Sequence, residues 1–223
     1  EIALIKKAAT IACVAFKKLL PCVKVGETEL TLAARLEFFM KEAGAERIAF
    51  ETIVASGKNG AMPHAKPTAK KIKTGELVTF DFGAVYRGYC CDITRTIAVG
   101  KPPAKLREIY ETVRTAQELG CKKARAGMTG RDLDAVCRNY IEKKGYGKYF
   151  VHATGHGLGM EVHELPSVSY GNVNPLPAGA VITVEPGIYV PGLGGVRIED
   201  DLVLTRRASQ NLTRALPTKL IPR

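Results

Sequence analysis

The sequence predicts an α+β fold built as two pseudo-symmetric α/β halves, and three observations carry that expectation. The run GELVTFDFG, beginning at Gly75, aligns with GAVITVEPG, beginning at Gly179, at a constant offset of 104 residues. Apolar residues fall on apolar residues, Thr79 on Thr183 and Asp81 on Glu185. Segments of helical period precede segments of alternating period in both halves, the pattern of helices laid over hairpins. The length of 223 residues, with 46% hydrophobic and 25% charged side chains, suits one sizeable core-forming domain.

Taken in order, residues 2–20 are rich in Ala, Leu and Lys and read as a helix ending at Pro21. A second helix follows, capped by Thr28 or Thr31, with Leu32, Leu36 and Phe39 at helical spacing and Gly44 as its stop. Residues 47–56 read as one strand that ends in the Gly-rich turn GKNG before His64. Strands are expected at 77–82, 85–89 and 93–99, after which Pro102 and Pro103 break the pattern. Helices are expected at 105–125 and 132–144, the second capped by Thr129 and ended by Gly145. A loop with three histidines follows, and strands return at 181–185, 188–190 and 195–205.

Composition excludes several classes. The longest apolar runs are too short to span a bilayer, and the opening residues lack a secretory cleavage pattern, so neither export nor membrane insertion is expected. Six cysteines without CxxC spacing, in a chain of this size, point to free thiols and a reducing, cytoplasmic compartment. The neighbours Cys90 and Cys91 read as small apolar residues rather than as a redox switch. A net charge of +11 raises nucleic acid as a partner, but the basic residues are scattered, without interleaved aromatics or a recognisable motif. A solvated basic surface is the simpler reading.

Acids within strands need an explanation, because burying a carboxylate costs several kcal/mol unless something positive compensates. Asp81, Asp92, Glu185 and Glu199 all occupy such positions, and Asp92 begins DITRTIAV much as Glu199 begins EDDLVLT, at an offset of 107. One such acid implies a salt bridge; four in matched pairs imply cations between the halves. The histidines sharpen this. His64 follows the Gly-rich turn, and His152, His156 and His163 share the stretch HATGHGLGMEVH. A lone histidine is more often a satisfied structural residue, but here each lies in a Gly-rich or acid-flanked motif. Oxygen ligands plus one imidazole favour manganese, cobalt, iron or zinc over calcium. Two such ions, about 3.5–4 Å apart, can hold one water as a bridging hydroxide near neutral pH. A carboxylate such as Glu185 would take the proton from water, and spare histidines would steady the oxyanion.

Four motifs in order, DFGAVYRGYCCDITRT, HATGHGLGMEVHELP, VEPGIY and GVRIEDD, make the chain resemble the pita-bread metallopeptidases, the group of methionine aminopeptidase, aminopeptidase P, prolidase and creatinase. The resemblance covers nearly the whole chain. It implies the pita-bread fold, with a curved, mostly antiparallel sheet, over residues 1–223 as a single catalytic domain. The N-terminal domain of the longer family members is expected to be absent. It assigns Asp81 to one metal, Asp92 and Glu199 as bridges, and His156 and Glu185 to the other metal. It assigns His64 and His163 to substrate binding and oxyanion stabilisation, with His152 lining the pocket.

Arg197 stands where the proline-specific members carry Arg and methionine aminopeptidases Gln, so the resemblance implies hydrolysis of Xaa-Pro bonds, as a dipeptidase or an aminopeptidase. Arg197 is counted with the catalytic group, free to pair with a ligand carboxylate or with substrate. The implied cofactor is a pair of divalent ions, manganese first, with cobalt, zinc or iron as alternatives. The implied partner is a peptide with proline at its second position, and a homodimer is compatible with the family. Methionine aminopeptidase, a creatinase-like enzyme acting on a guanidino compound, and a non-catalytic pita-bread binding protein are the alternative readings. Cys91 replaces the Ser common before the bridging Asp, a change too small to disturb metal binding.

Overall fold

A computed structural model describes all residues, 1–223. Helix α1 (Ile2–Leu19) turns Ile5, Ala8, Ala12, Phe16 and Leu19 inward at helical spacing, and Pro21 closes it with a short 3₁₀ turn. Thr28, not Thr31, caps α2 (Glu29–Glu42): its hydroxyl accepts from the Thr31 amide at 3.1 Å. Both helices pack on the first half of the sheet, where Phe16 stacks on Phe82 with ring centroids 5.0 Å apart and meets Phe80 edge-on. Removing a ring so enclosed typically costs about 3–5 kcal/mol.

The strand expected over residues 47–56 is two strands in different sheets. β1 (Arg47–Ile48) pairs with β4, whereas β2 (Ile53–Ser56) pairs with β3. Between them Phe50, Glu51 and Thr52 leave the ladder to line a cavity. β3 (Glu76–Phe82) and β6 (Ile93–Val99) run antiparallel along their whole length, with Asp81 opposite Thr94. The segment expected as one strand at 85–89 is a hairpin, β4 (Ala84–Tyr86) and β5 (Tyr89–Cys90), turning at Arg87–Gly88.

In the second half α3 (Ala104–Lys123) and α4 (Gly130–Lys143) form an antiparallel pair. Thr129 and Asp132 complete a reciprocal capping box at the start of α4. The histidine-rich stretch, expected as a loop, contains β7 (Gly155–Gly157) and runs directly into β8 (Glu164–Val168). Gly155 explains the miss, because its backbone presses so closely on Thr183 that a Cβ would lie 2.1 Å from that carbonyl oxygen. A close approach, not strand propensity, puts it in the sheet.

β9 (Val181–Val184) and the hairpin β10 (Gly187–Val190) with β11 (Gly194–Arg197) follow. The strand expected at 195–205 breaks at Ile198–Glu199, where the chain leaves β10 and β12 (Asp200–Leu204) joins β9 instead. The short β13 (Ser209–Asn211) ends the five-stranded order β13-β12-β9-β7-β8, beside the three-stranded order β2-β3-β6.

Two hydrophobic cores result. One lies under α1 and α2 and holds Phe80, Phe82, Ile93 and Ile97; the other lies under α3 and α4 and holds Ile182, Val184, Val196 and Leu202. The halves meet where β6 faces β11 and β12, stitched by Glu199 N–H to Thr94 O at 3.1 Å and Arg197 N–H to Thr96 Oγ1 at 3.3 Å. No helix is long and apolar enough to cross a membrane.

Candidate metal centre

The junction of the halves is also the floor of a cavity of about 510 Å³. Strand period decides which side chains reach it. Asp81 comes up from β3, while Asp92 precedes β6, Glu185 follows β9 and Glu199 precedes β12. His156 comes from β7, and His64, His152 and His163 lie on the walls. The cavity therefore gathers every site residue singled out from the sequence.

Ligand atoms of Asp92, His156 and Glu199 all lie within 4.8 Å of one another. His156 Nε2 is 3.3 Å from Glu185 Oε1 and 3.7 Å from Asp92 Oδ2. Its Nδ1 faces the Gly157 carbonyl at 3.0 Å. A carbonyl only accepts, so Nδ1 carries a proton and Nε2 is the nitrogen turned to the acids. A ring held this way by its far nitrogen is oriented as metal-binding histidines are.

Glu199, Asp81 and Asp201 are each half satisfied. Thr94 Oγ1 donates to Glu199 Oε2 at 2.6 Å, and Arg197 Nη2 donates to Asp81 Oδ2 at 2.6 Å. The Asp92 amide donates to Asp201 Oδ2 at 3.1 Å. Yet Asp81 Oδ1, Asp92 Oδ1, Glu199 Oε1 and Asp201 Oδ1 are buried without any hydrogen-bond partner. A native fold leaves few such atoms, each costing about 1–3 kcal/mol or more when charged. Several orphaned carboxylate oxygens beside an imidazole fit divalent cations.

The electrostatics agree. Burial, then repulsion from neighbouring acids, drives Asp92 and Glu199 well above the ordinary carboxylate range, and burial raises Asp201 in the same direction. Burial opposes ionisation of both His156 and Glu185, but their mutual attraction outweighs it, raising the imidazole and lowering the carboxyl. A cation in front of Nε2 would take the place of that attraction between the imidazole and the carboxyl.

Arg197 is 4% exposed, and every guanidinium nitrogen is engaged. Nε donates to Thr94 Oγ1 at 3.0 Å, and Nη1 to Pro63 O at 3.1 Å and Tyr189 Oη at 2.8 Å. With Nη2 on Asp81, this residue holds the floor and leaves no free fork for a substrate. Tyr189 passes the chain on: receiving from Arg197, its hydroxyl donates to His152 Nε2 at 2.8 Å, while His152 Nδ1 donates to the Ala153 carbonyl at 2.7 Å. Burial lowers the His152 pKa, consistent with a neutral ring. His163 lies 4.3 Å, ring centroid to centroid, from His156 on the exposed rim; burial and the charge of His156 lower its pKa. His64 also lines the cavity, on the exposed segment after the Gly-rich turn.

Three contributors escaped the sequence reading. Thr183 accepts from the His156 amide at 3.0 Å and donates to Glu185 Oε1 at 3.1 Å, orienting two site residues. Its repeat partner Thr79 instead bonds Thr96. Thr94 and Asp201 back the floor, bonding Glu199 and the Asp92 amide, and two-residue periodicity along DITRT and IEDD was the available signal, since alternate strand residues share a face.

Comparison with known proteins points the same way. The profile of metallopeptidase family M24 matches residues 3–206. A Xaa-Pro dipeptidase of Pyrococcus furiosus is 47% identical over 214 residues, 96% of this chain and 62% of that protein. The solved structure of a Xaa-Pro dipeptidase from Bacillus anthracis superposes with a TM-score of 0.98 at 50% identity, covering all of this chain and 62% of the other. That of an X-Pro aminopeptidase from Thermotoga maritima gives 0.97 at 46% identity, covering 100% and 63%. The chain thus spans about three fifths of the length of the curated relatives it matches.

Proposed function

The chain belongs to metallopeptidase family M24, and from that premise we propose that it hydrolyses peptide bonds preceding proline, as a Xaa-Pro dipeptidase or aminopeptidase, with residues 1–223 forming the catalytic domain. One observation carries the catalytic part: buried carboxylate oxygens of Asp81, Asp92 and Glu199 are left without partners around the Nε2 of a pre-oriented His156. Asp81, Asp92, His156, Glu185 and Glu199 would hold two divalent cations, manganese being the first choice for this oxygen-rich set, with cobalt, zinc or iron next. Such ions supply a nucleophile at neutral pH and polarise a carbonyl.

The protein's own groups do the rest. Glu185, held by Thr183, is the base that accepts a proton from water. His163 and His64, both lining the cavity, donate N–H groups to the substrate carbonyl and to the oxyanion that forms from it. His152, neutral and fixed through Tyr189, walls the pocket. Arg197 acts through Asp81 as a positioning residue. The relatives named for Xaa-Pro peptides support proline at the second position. The six free cysteines support a reducing, cytoplasmic setting.

The test is cleavage of Xaa-Pro dipeptides and longer Xaa-Pro peptides by chelated protein, before and after Mn²⁺, Co²⁺ or Zn²⁺ is restored. Metal-dependent release of the residue before proline is expected. Release of methionine from Met-Ala peptides without Xaa-Pro cleavage would replace this reading with methionine aminopeptidase, and inactivity on all substrates would remove the catalytic reading.

A further inference from the structure

A buried carboxylate outside the metal centre, Glu29, bonds to both ends of a segment that lines the same cavity. Glu29, in the first turn of α2, is fully buried. Its Oε1 accepts from the Ser56 amide and hydroxyl, each at 2.7 Å, and from Asn59 Nδ2 at 3.1 Å. Its Oε2 accepts from the Thr68 amide at 3.1 Å, the Thr68 hydroxyl at 2.7 Å and Asn59 Nδ2 at 3.1 Å. The contacts of this one side chain thus bracket residues 57–67, the segment that carries His64. Lys70 extends the network, its Nζ lying 2.8 Å from Ser56 Oγ and 2.7 Å from Glu76 Oε2.

Other bonds to charged groups hold the segment at single points, among them an exposed ion pair of Lys66 with Glu51 at 3.1 Å. Its 3₁₀ turn rests backbone to backbone on β11, so closely that a Cβ at Gly195 would lie 2.1 Å from Gly60 O. The Pro63 carbonyl takes one bond from Arg197. Beyond Pro63, His64 to Pro67 line the cavity on its exposed side, and His64 and Lys66 are themselves exposed. Bonds to an ionised, desolvated carboxylate are among the stronger ones a fold can offer, and here they close the segment at both ends.

We propose that Glu29 is a positioning residue for substrate: it clamps Ser56 and Thr68 so that His64 is held over the acidic floor before a peptide enters. The proposal rests on the reading of His64 as a substrate-binding group. Each Glu29 oxygen accepts a backbone amide, so an isosteric amide cannot take its place without setting N–H against N–H at Ser56 or Thr68.

Two measurements test it on the full chain. In chelated protein without substrate, Glu29→Gln should speed hydrogen exchange of the amides from Ser56 to Thr68 by about 10-fold, the scale of losing a charge-assisted bond, while amides of α3 and α4 stay protected. This readout needs no activity, so failure of the peptidase reading leaves it legible. In metal-loaded protein, Glu29→Gln should leave Mn²⁺ affinity by calorimetry unchanged and lower kcat/KM for a Xaa-Pro peptide by about 10- to 100-fold, the range expected for slight misplacement of a substrate-contacting group. In a His64→Ala background the same substitution should cost almost nothing further. Full additivity with His64→Ala, or unchanged exchange over residues 56–68, overturns the proposal. Thr68→Val, which removes one hydroxyl donor, should shift both readouts the same way by less, and decides the matter if Glu29→Gln does not fold.

Discussion

Glu199, Asp200 and Asp201 are three consecutive buried acids, and their environments differ in a way that separates structure from chemistry. Asp200 points away from the cavity. Its Oδ1 accepts from Arg95 Nη2 at 2.7 Å and Thr213 Oγ1 at 2.5 Å, and its Oδ2 accepts from Gln117 Nε2 at 2.8 Å. The other Nη donors of Arg95 go to the carbonyls of Thr94, Glu199 and Leu216, and only its Nε is buried without a partner. Glu199 lines the cavity on one side of Asp200 and Asp201, on the other, takes the Asp92 amide beneath the floor, and each keeps an oxygen with no partner. A buried acid matched to a guanidinium completes the fold by itself, whereas acids left open around a histidine call for a charge from outside.

Breaking the matched side should have the largest effect. Asp200→Ala leaves Arg95 buried without its counter-charge, and a loss of about 3–5 kcal/mol of stability is expected in urea unfolding, with or without metal. Equal stability of variant and parent would show that Arg95 finds other partners.

Breaking the open side should do the opposite to the metal-free protein. Glu199→Gln removes one of the mutually repelling acids, so the chelated variant should melt at or above the parent, while Mn²⁺-supported hydrolysis falls by about 10²–10³-fold. Calorimetric Mn²⁺ binding and a thermal melt with chelator check both halves of the statement. A variant that melts lower without metal would mean Glu199 is structural, like Asp200.

Arg197→Lys sharpens the comparison at the buried guanidinium on the open side. A lysine cannot reach Asp81, Thr94, Tyr189 and Pro63 together, as the planar fork does. Metal affinity should fall by about 10- to 100-fold, the usual cost of losing an outer-shell support, with a smaller change in stability.

The smallest expected effect is a pH trend of unusual sign. Asp92, Glu199 and Asp201 have native pKa values raised above those of the unfolded chain, chiefly by burial. Between the unfolded and native values the folded state binds more protons, so stability falls as pH rises through that window. Chelated protein should therefore melt at higher temperature as pH is lowered from neutrality toward the ordinary carboxylate range. Loading with Mn²⁺ should flatten or reverse the trend, since a cation favours the ionised acids. A melting temperature that only declines on acidification would contradict the assignment.

Legibility from sequence followed the range of the forces involved. Helices α1 to α4 were readable because periodicity and caps such as Thr129 act within a few residues. The strand from Ile93 to Val99 was equally plain, though it is buried on both faces. Segments 47–56 and 195–205 were joined wrongly, because where a strand changes partners depends on the neighbour it meets. β7 was hidden for a similar reason: Gly155–Gly157 has no strand propensity and is held by the close approach of β9. The acids and histidines were legible as a set because the repeat and four motifs single them out. Glu29 carried no comparable mark, whereas Thr183 lies in the repeat and Asp201 in GVRIEDD without either residue type pointing to the site by itself.

What the sequence by itself determined is the two-halved plan, the four helices and the roster of acids and histidines, since these rest on local period and on residue types costly to bury. Only the tertiary structure decided which acid is neutralised and which is left open. Asp200 and Glu199 are neighbours of nearly the same chemistry, and the difference between them is that Arg95 reaches one face of the strand while the other faces the cavity.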